Sequence, residues 1–183
     1  MSTIFLVLVI VLAFLAISDL IVGVSNDAVN FLNSALGSKA FNFKIIMFIA
    51  ALGILFGATF SSGMMEVARK GIFHPQYFYF SEIIILFMAV MITDVILLDL
   101  FNTFGMPTST TVSIVFELLG AAVGLALIKV INDPNALTMA EYINSGKAIA
   151  IILGILGSVG IAFTGGAIIQ YFSRLLFSFN YKP

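Results

Sequence analysis

Apolar residues run through this chain in solid blocks of roughly 20, the length an α-helix needs to cross a hydrocarbon core. Short polar joints separate the blocks. Only helices and closed barrels satisfy their backbone groups in lipid. Barrel strands alternate inward and outward side chains, and this sequence shows continuous blocks rather than alternation. Composition agrees: 61% of the 183 residues are apolar and only 9% are charged, against about a quarter charged in a soluble domain. The expected fold is an all-α integral membrane protein of about five helical segments, some of them broken or re-entrant. Residues 1–183 are expected to form a single transmembrane domain.

The first span is expected over residues 3–22 and already contains an acid, Asp19. Its apolar run 4–17 has the length of a signal-peptide core, but no Lys or Arg precedes it and no small-residue cleavage site follows. A polar, small-residue stretch, 23–39, comes next, reading GVSNDAVNFLNSALGSK. It has too many amides and hydroxyls to face lipid, so a broken helix is expected there. The second span covers 43–60, and a polar joint over 61–79 carries Glu66, Arg69, Lys70 and His74. The third span, 80–101, contains Asp94 and Asp99. The chain then breaks at Gly105-Met106-Pro107 and restarts with Thr108-Ser109-Thr110-Thr111. Proline is tolerated at the head of a helix, and Ser or Thr beside it can cap free N–H groups. A fourth helix continues to about residue 131, a water-like loop covers 132–146, and a last span covers 147–172. Aromatic residues interleave with Arg174 and Lys182 in the tail, as at a membrane interface. The glycine pairs Gly53/Gly57 and Gly120/Gly124 have the spacing of close helix packing. Lys39 and Lys44 on one joint balance Arg69 and Lys70 on the next, so charge does not set the orientation.

Function is read from what does not belong in lipid. An acid at the bilayer centre costs on the order of 3 kcal/mol by insertion scales, yet Asp19, Asp27, Asp94, Asp99 and Glu117 lie in or beside the spans with almost no Lys or Arg among them. Protonation or a bound cation makes such groups tolerable, and either implies an ion pathway, although Asp19 and Asp99 also fit interface depth. Asn26 and Asn30 share one helical face and Asp27 adjoins it with a formal charge, oxygens that suit a hard cation such as sodium. The restart Pro107 to Thr111 offers hydroxyls and uncapped N–H groups, which suit an oxyanion as well as ordinary capping. With no cysteine, disulfides and thiolate sites are excluded, and the single histidine, His74, lies in a polar joint beside Pro75 as an incidental residue. Net charge is −1 with no basic patch, so no nucleic-acid partner is expected.

The two polar segments together resemble the signatures of the inorganic phosphate transporter (PiT) family. Its pattern G-A-N-D-x-x-N-x-x-G-x-x-x-G is matched by Asn26, Asp27, Asn30 and Gly37, and its pattern P-x-S-T-T-H by Pro107, Ser109, Thr110 and Thr111. The joint Val67-Ala68-Arg69-Lys70-Gly71-Ile72 resembles the family's R-K-G-I connection, so the likeness runs from about residue 20 to 124. Val24 and Ser25 replace the leading Gly-Ala, Asn33 replaces a glycine, and Val112 stands in place of the histidine. A further glycine is replaced near Phe116-Glu117, and Glu117 offers a substitute ionisable group in the same helix.

The resemblance implies one repeat of an inverted-repeat transporter, with its N-terminus outside the cytoplasm and a site shared with a second repeat. That repeat is expected in the same or another chain, in a homo-oligomer within the cell membrane (the inner membrane in a Gram-negative source). The expected activity is import of inorganic phosphate by symport, with sodium or a proton as coupling ion and no other cofactor or metal. Asp27, Ser109, Thr110 and Thr111 are the expected substrate-binding residues. Asn26, Asp27 and Asn30 would serve the coupling ion, and Asp94 joins them on charge alone. Membrane lipid is the other partner. A permease for sulfate or a similar oxyanion, and a non-transporting membrane subunit, are the alternatives. An enzyme is not expected, for want of a nucleophile–base pair.

Overall fold

The computed structural model describes residues 3–39, 41–60 and 71–176. The joint residues 61–70, with Glu66, Arg69, Lys70 and most of the R-K-G-I segment, lie outside the described residues, as does the tail 177–183 with Lys182. The described residues form helices α1 (Thr3–Ser38), α2 (Phe43–Thr59), α3 (Phe80–Thr103), α4 (Thr110–Asn132), α5 (Met139–Tyr142) and α6 (Ser145–Leu176). Four of these helices are long and apolar enough to cross a membrane, namely Thr3–Ala28 within α1, and α3, α4 and α6. The protein is therefore an all-α, multi-pass membrane protein, as its hydropathy required. α2, at 17 residues, is apolar but shorter.

The expected interruption at 23–39 does not occur. α1 is continuous for 36 residues, about 54 Å at 1.5 Å per residue. No proline enters it, and several of its polar side chains find partners that leave the helical ladder intact. Ser18 and Ser25 return their hydroxyls to Phe14 O and Ile21 O, at 3.1 and 2.8 Å. The asparagines reach across to another element, as described below. The helix ends at Lys39, whose φ of 52° is the left-handed conformation usually given to glycine.

The break after α3 falls where the sequence places it. Gly105 has φ 65°, its N–H bonds to Asn102 O at 3.1 Å, and Met106 N–H bonds to Phe101 O at 2.9 Å. This is the Schellman closure, in which a left-handed glycine lets the chain turn back on the last carbonyls. Pro107 lies beyond that closure and upstream of the next helix, rather than at its first position. Ser109 is the N-cap of α4, its Oγ accepting from Val112 N–H at 3.4 Å.

Chain direction follows from contacts at both ends. Phe5 packs on Phe80 with ring centroids 5.9 Å apart, and Asn26 bonds Asn102 at 2.8 Å, so α1 and α3 run parallel. α3 and α4 are antiparallel, joined at one end by the break and clamped at the other by Lys129 Nζ, 2.9 Å from both Glu82 carboxylate oxygens. The same ammonium lies 4.9 to 5.9 Å from the ring centroids of Phe78, Tyr79 and Tyr142. Val90 and Leu98 on α3 and Leu118, Ala122 and Ala126 on α4 are all 2% exposed or less. The glycine pairs read as packing do not make a close contact: among the described residues, a Cβ added at Gly53, Gly57, Gly120 or Gly124 meets nothing within 4 Å.

The loop side is tied by a bridge between Phe73 and Ile143 and by His74 N–H to Tyr142 O at 2.9 Å. The His74 ring rests edge-on against Tyr77. Thr138 begins α5, and its N–H and hydroxyl hold the exposed Glu141 carboxyl below the usual glutamate range. Contacts divide the chain into units Met1–Ser145 and Gly146–Pro183. All but the first of the 32 residues of α6 belong to the second unit, and its Ser158 and Thr164 hydroxyls are returned to Ile155 O and Gly160 O.

Candidate functional site

The polar face of α1 is latched to the break. Asn26 is 2% exposed. Its Nδ2 donates to Asn102 Oδ1 at 2.8 Å, and its Oδ1 accepts from Thr108 N–H at 3.1 Å. Asn102 Nδ2 in turn donates to Val22 O at 3.3 Å. Asn30 Nδ2 donates to Thr108 O at 2.8 Å. Both polar backbone groups of Thr108 are therefore held, its N–H by Asn26 and its C=O by Asn30. The spacing of four residues that put both asparagines on one helical face is what permits this grip.

Asp27 faces the start of α4. Thr110 Oγ1 donates to Asp27 Oδ2 at 3.0 Å. Asp27 and Thr110 line a cavity of about 150 Å³ with Asp19, Gly23, Asp94 and Leu98. Gly23 brings the α1 backbone close, since a Cβ there would lie 3.5 Å from Thr110 Cγ2. The first N–H groups of α4 have no carbonyl partner within the helix and carry its positive end. Ser109 and Thr111 are exposed beside them. The sequence-predicted oxyanion segment and the N-D segment thus meet, through Thr110.

Asp94, nominated on charge alone, is the most buried acid among the described residues, at 0% exposed. Ser113 Oγ lies 2.7 Å from Asp94 Oδ1 and 2.9 Å from Glu117 Oε1. The Asp19 carboxyl reaches Asp94 from α1. One oxygen on each of Asp19, Asp94 and Glu117 is buried without a hydrogen-bond donor. Asp99 stands apart, exposed on α3. Among the described residues no His/Cys/Asp/Glu group has the arrangement of a metal site.

Asn102, Thr108 and Ser113 escaped the sequence reading. Asn102 was visible as an amide near the end of an apolar span, three residues before the breaking glycine. Thr108 acts through its backbone, which no side-chain pattern reveals. Ser113 required knowing that α3 and α4 pair with Asp94 opposite it.

A polar cluster built on a helix break thus joins α1, α3 and α4 of this multi-pass membrane protein. The chain belongs to the phosphate transporter family, whose profile matches residues 23–182. It is 32% identical over 110 residues to a Thermococcus kodakarensis protein named "Putative phosphate permease", a match covering 59% of this chain and 27% of that protein. A Pyrococcus abyssi protein of the same name is 30% identical over 110 residues, with the same shares of 59% and 27%. The match thus spans about a quarter of the length of either relative. No solved structure matches the chain.

Proposed function

We propose that this chain imports inorganic phosphate across the cell membrane by symport with a cation, sodium or a proton, as one repeat of a two-repeat transporter. The observation that carries the reading is the Thr110–Asp27 contact, which puts a carboxylate at the positive end of α4. Hydroxyls and free N–H groups there suit phosphate oxygens, but the Asp27 charge opposes an anion. Two like charges 4 Å apart repel by about 4 kcal/mol at an effective dielectric constant of 20. A cation that neutralises Asp27 removes this opposition, so anion and cation are favoured together. Coupling is then a consequence of electrostatics.

In this reading Ser109, Thr110 and Thr111 hold phosphate oxygens. Asp27 takes the coupling cation, with the carbonyl oxygens of Asn26 and Asn30 on the same face. Their amide groups also fix the break against α1. Ser109, Thr111 and Asn30 are exposed, which leaves a side of the site for a second repeat to close by rocking against this one. The family and its named relatives support phosphate as the substrate.

The test is uptake of labelled phosphate by cells lacking their own importers, expressing the longest reading frame that contains this chain. Sodium is exchanged for choline, pH is stepped, and sulfate is added as competitor. Uptake that depends on sodium or on low pH and resists sulfate supports the reading. Good membrane expression with no ion-driven phosphate uptake refutes it.

A further inference from the structure

We propose that Asp94, Ser113 and Glu117 form a proton relay through the α3–α4 seam, joining the cavity at Asp27 to a second cavity beside Thr93. The first cavity is lined by Asp19, Asp27, Asp94 and Thr110. The second, of about 250 Å³, is lined by Ala89, Val90, Thr93, Glu117, Gly120 and Ala121. The two linings share no residue. Asp94 belongs to one and Glu117 to the other, and the Ser113 hydroxyl touches both acids.

The ligand is read from proton counting. Ser113 Oγ is 2.7 Å from one carboxylate oxygen and 2.9 Å from another, both within the range of O–H···O bonds. A hydroxyl has one proton to donate. If it donates to one carboxylate, the other contact lacks a hydrogen until that carboxyl supplies its own. The pair therefore holds an extra proton. Independently, Asp94 is fully buried and its Oδ2 has no donor, on the wall of the first cavity and within reach of Asp19.

Among the described residues, the helices around the pair offer no other charge compensation. The groups facing the pair are Asp19 and Asp27 from α1, Asp94 from α3 and Glu117 from α4, all acids. α1 and α3 carry no Lys or Arg. The single base of α4, Lys129, is engaged by Glu82, about 18 Å further along the helix than Glu117. Ordinary structural acids are paired with bases; these are paired with each other and with a hydroxyl.

Transfer balances without any further reactant. A proton on Glu117 passes to Ser113 Oγ as the hydroxyl proton of Ser113 passes to Asp94. Glu117 is left as carboxylate, Asp94 as the acid, and Ser113 is unchanged. Water in the second cavity reprotonates Glu117, and Asp94 delivers to Asp19 and the first cavity. Use of this path to drive transport rests on the symport reading above, whereas the shared proton does not.

Infrared spectroscopy of the full chain in lipid bilayers tests it. A protonated-carboxyl C=O band is expected at neutral pH. Asp94→Asn and Glu117→Gln, which keep shape and hydrogen-bonding atoms, should each remove it. Ser113→Ala should keep the band but slow its proton–deuteron exchange by roughly tenfold or more, and Ser113→Thr should restore the rate. Absence of the band from the unmutated chain at neutral pH overturns the proposal. So does a band that survives both acid substitutions, or one that sodium displaces at constant pH. A correct band in a chain that takes up no phosphate leaves the relay standing and the transport reading refuted.

Discussion

Asn26 and Asn30 lie four residues apart on one helix and touch the backbone of the same residue, Thr108, but their surroundings rank them differently. Asn26 is 2% exposed and satisfies Asn102 and the Thr108 N–H. Asn26→Ala leaves the Asn102 Oδ1 and the Thr108 N–H, both part-buried, without that partner, at up to about 1–3 kcal/mol for each unsatisfied group. Asn30 is exposed, and water replaces its contact, so Asn30→Ala should cost less than about 1 kcal/mol. Denaturation of the detergent-solubilised chain should show this order, and equal losses would mean that the latch does not hold the break. Asp27→Asn separates charge from shape. Its amide oxygen can still accept from Thr110, so the fold should persist while ion-driven uptake falls to background. Undiminished coupled uptake by that variant would remove Asp27 from the coupling role. At this scale the sequence exposed the residues that carry charge or amides. It hid Ser113 and Thr108, whose roles depend on which helix lies opposite.

The elements show why one break was legible and the other expectation failed. Gly105 before Pro107 is a backbone signal: only the left-handed conformation returns two N–H groups to the end of α3, and glycine adopts it without penalty. The stretch 23–39 has no such signal. Its polar side chains suggested a loop, yet a helix needs only that those side chains find partners elsewhere, and the break supplies them. Hydropathy gave the spans because it depends on composition alone, but helix pairing leaves little trace in it. The spacing of the glycine pairs therefore did not mark a close contact among the described residues. Gly105→Ala should destabilise the chain by about 1–2 kcal/mol through its φ alone, because a Cβ there has open space. Lys39→Gly, at the other left-handed position, should stabilise it by a similar amount. Opposite shifts in thermal unfolding are the check, and a neutral Gly105→Ala would mean that the closure relaxes without strain.

Across the whole molecule, the distribution of exposed polar groups argues for a missing face. Thr111, Ser109 and Asn30 are exposed beside the break, whereas the helices around them present mainly apolar side chains outward. Lipid does not tolerate such a cluster, which must face water or another protein surface. A second repeat that closes over it would turn an open groove into an occluded site, which is what alternating access requires. Thr111→Cys reports on this directly, because Thr111 is exposed and is not the N-cap of α4. In the 183-residue chain alone, a water-soluble thiol reagent should label it readily, the chain having no other cysteine. In a complex with a second repeat, labelling should fall, and fall further when phosphate and the coupling cation are added together. Protection by phosphate alone would mean that the anion binds without its cation, against the electrostatic argument from Asp27. Labelling unchanged by either the second repeat or the ligands would place the closed face elsewhere and leave the break as a structural turn.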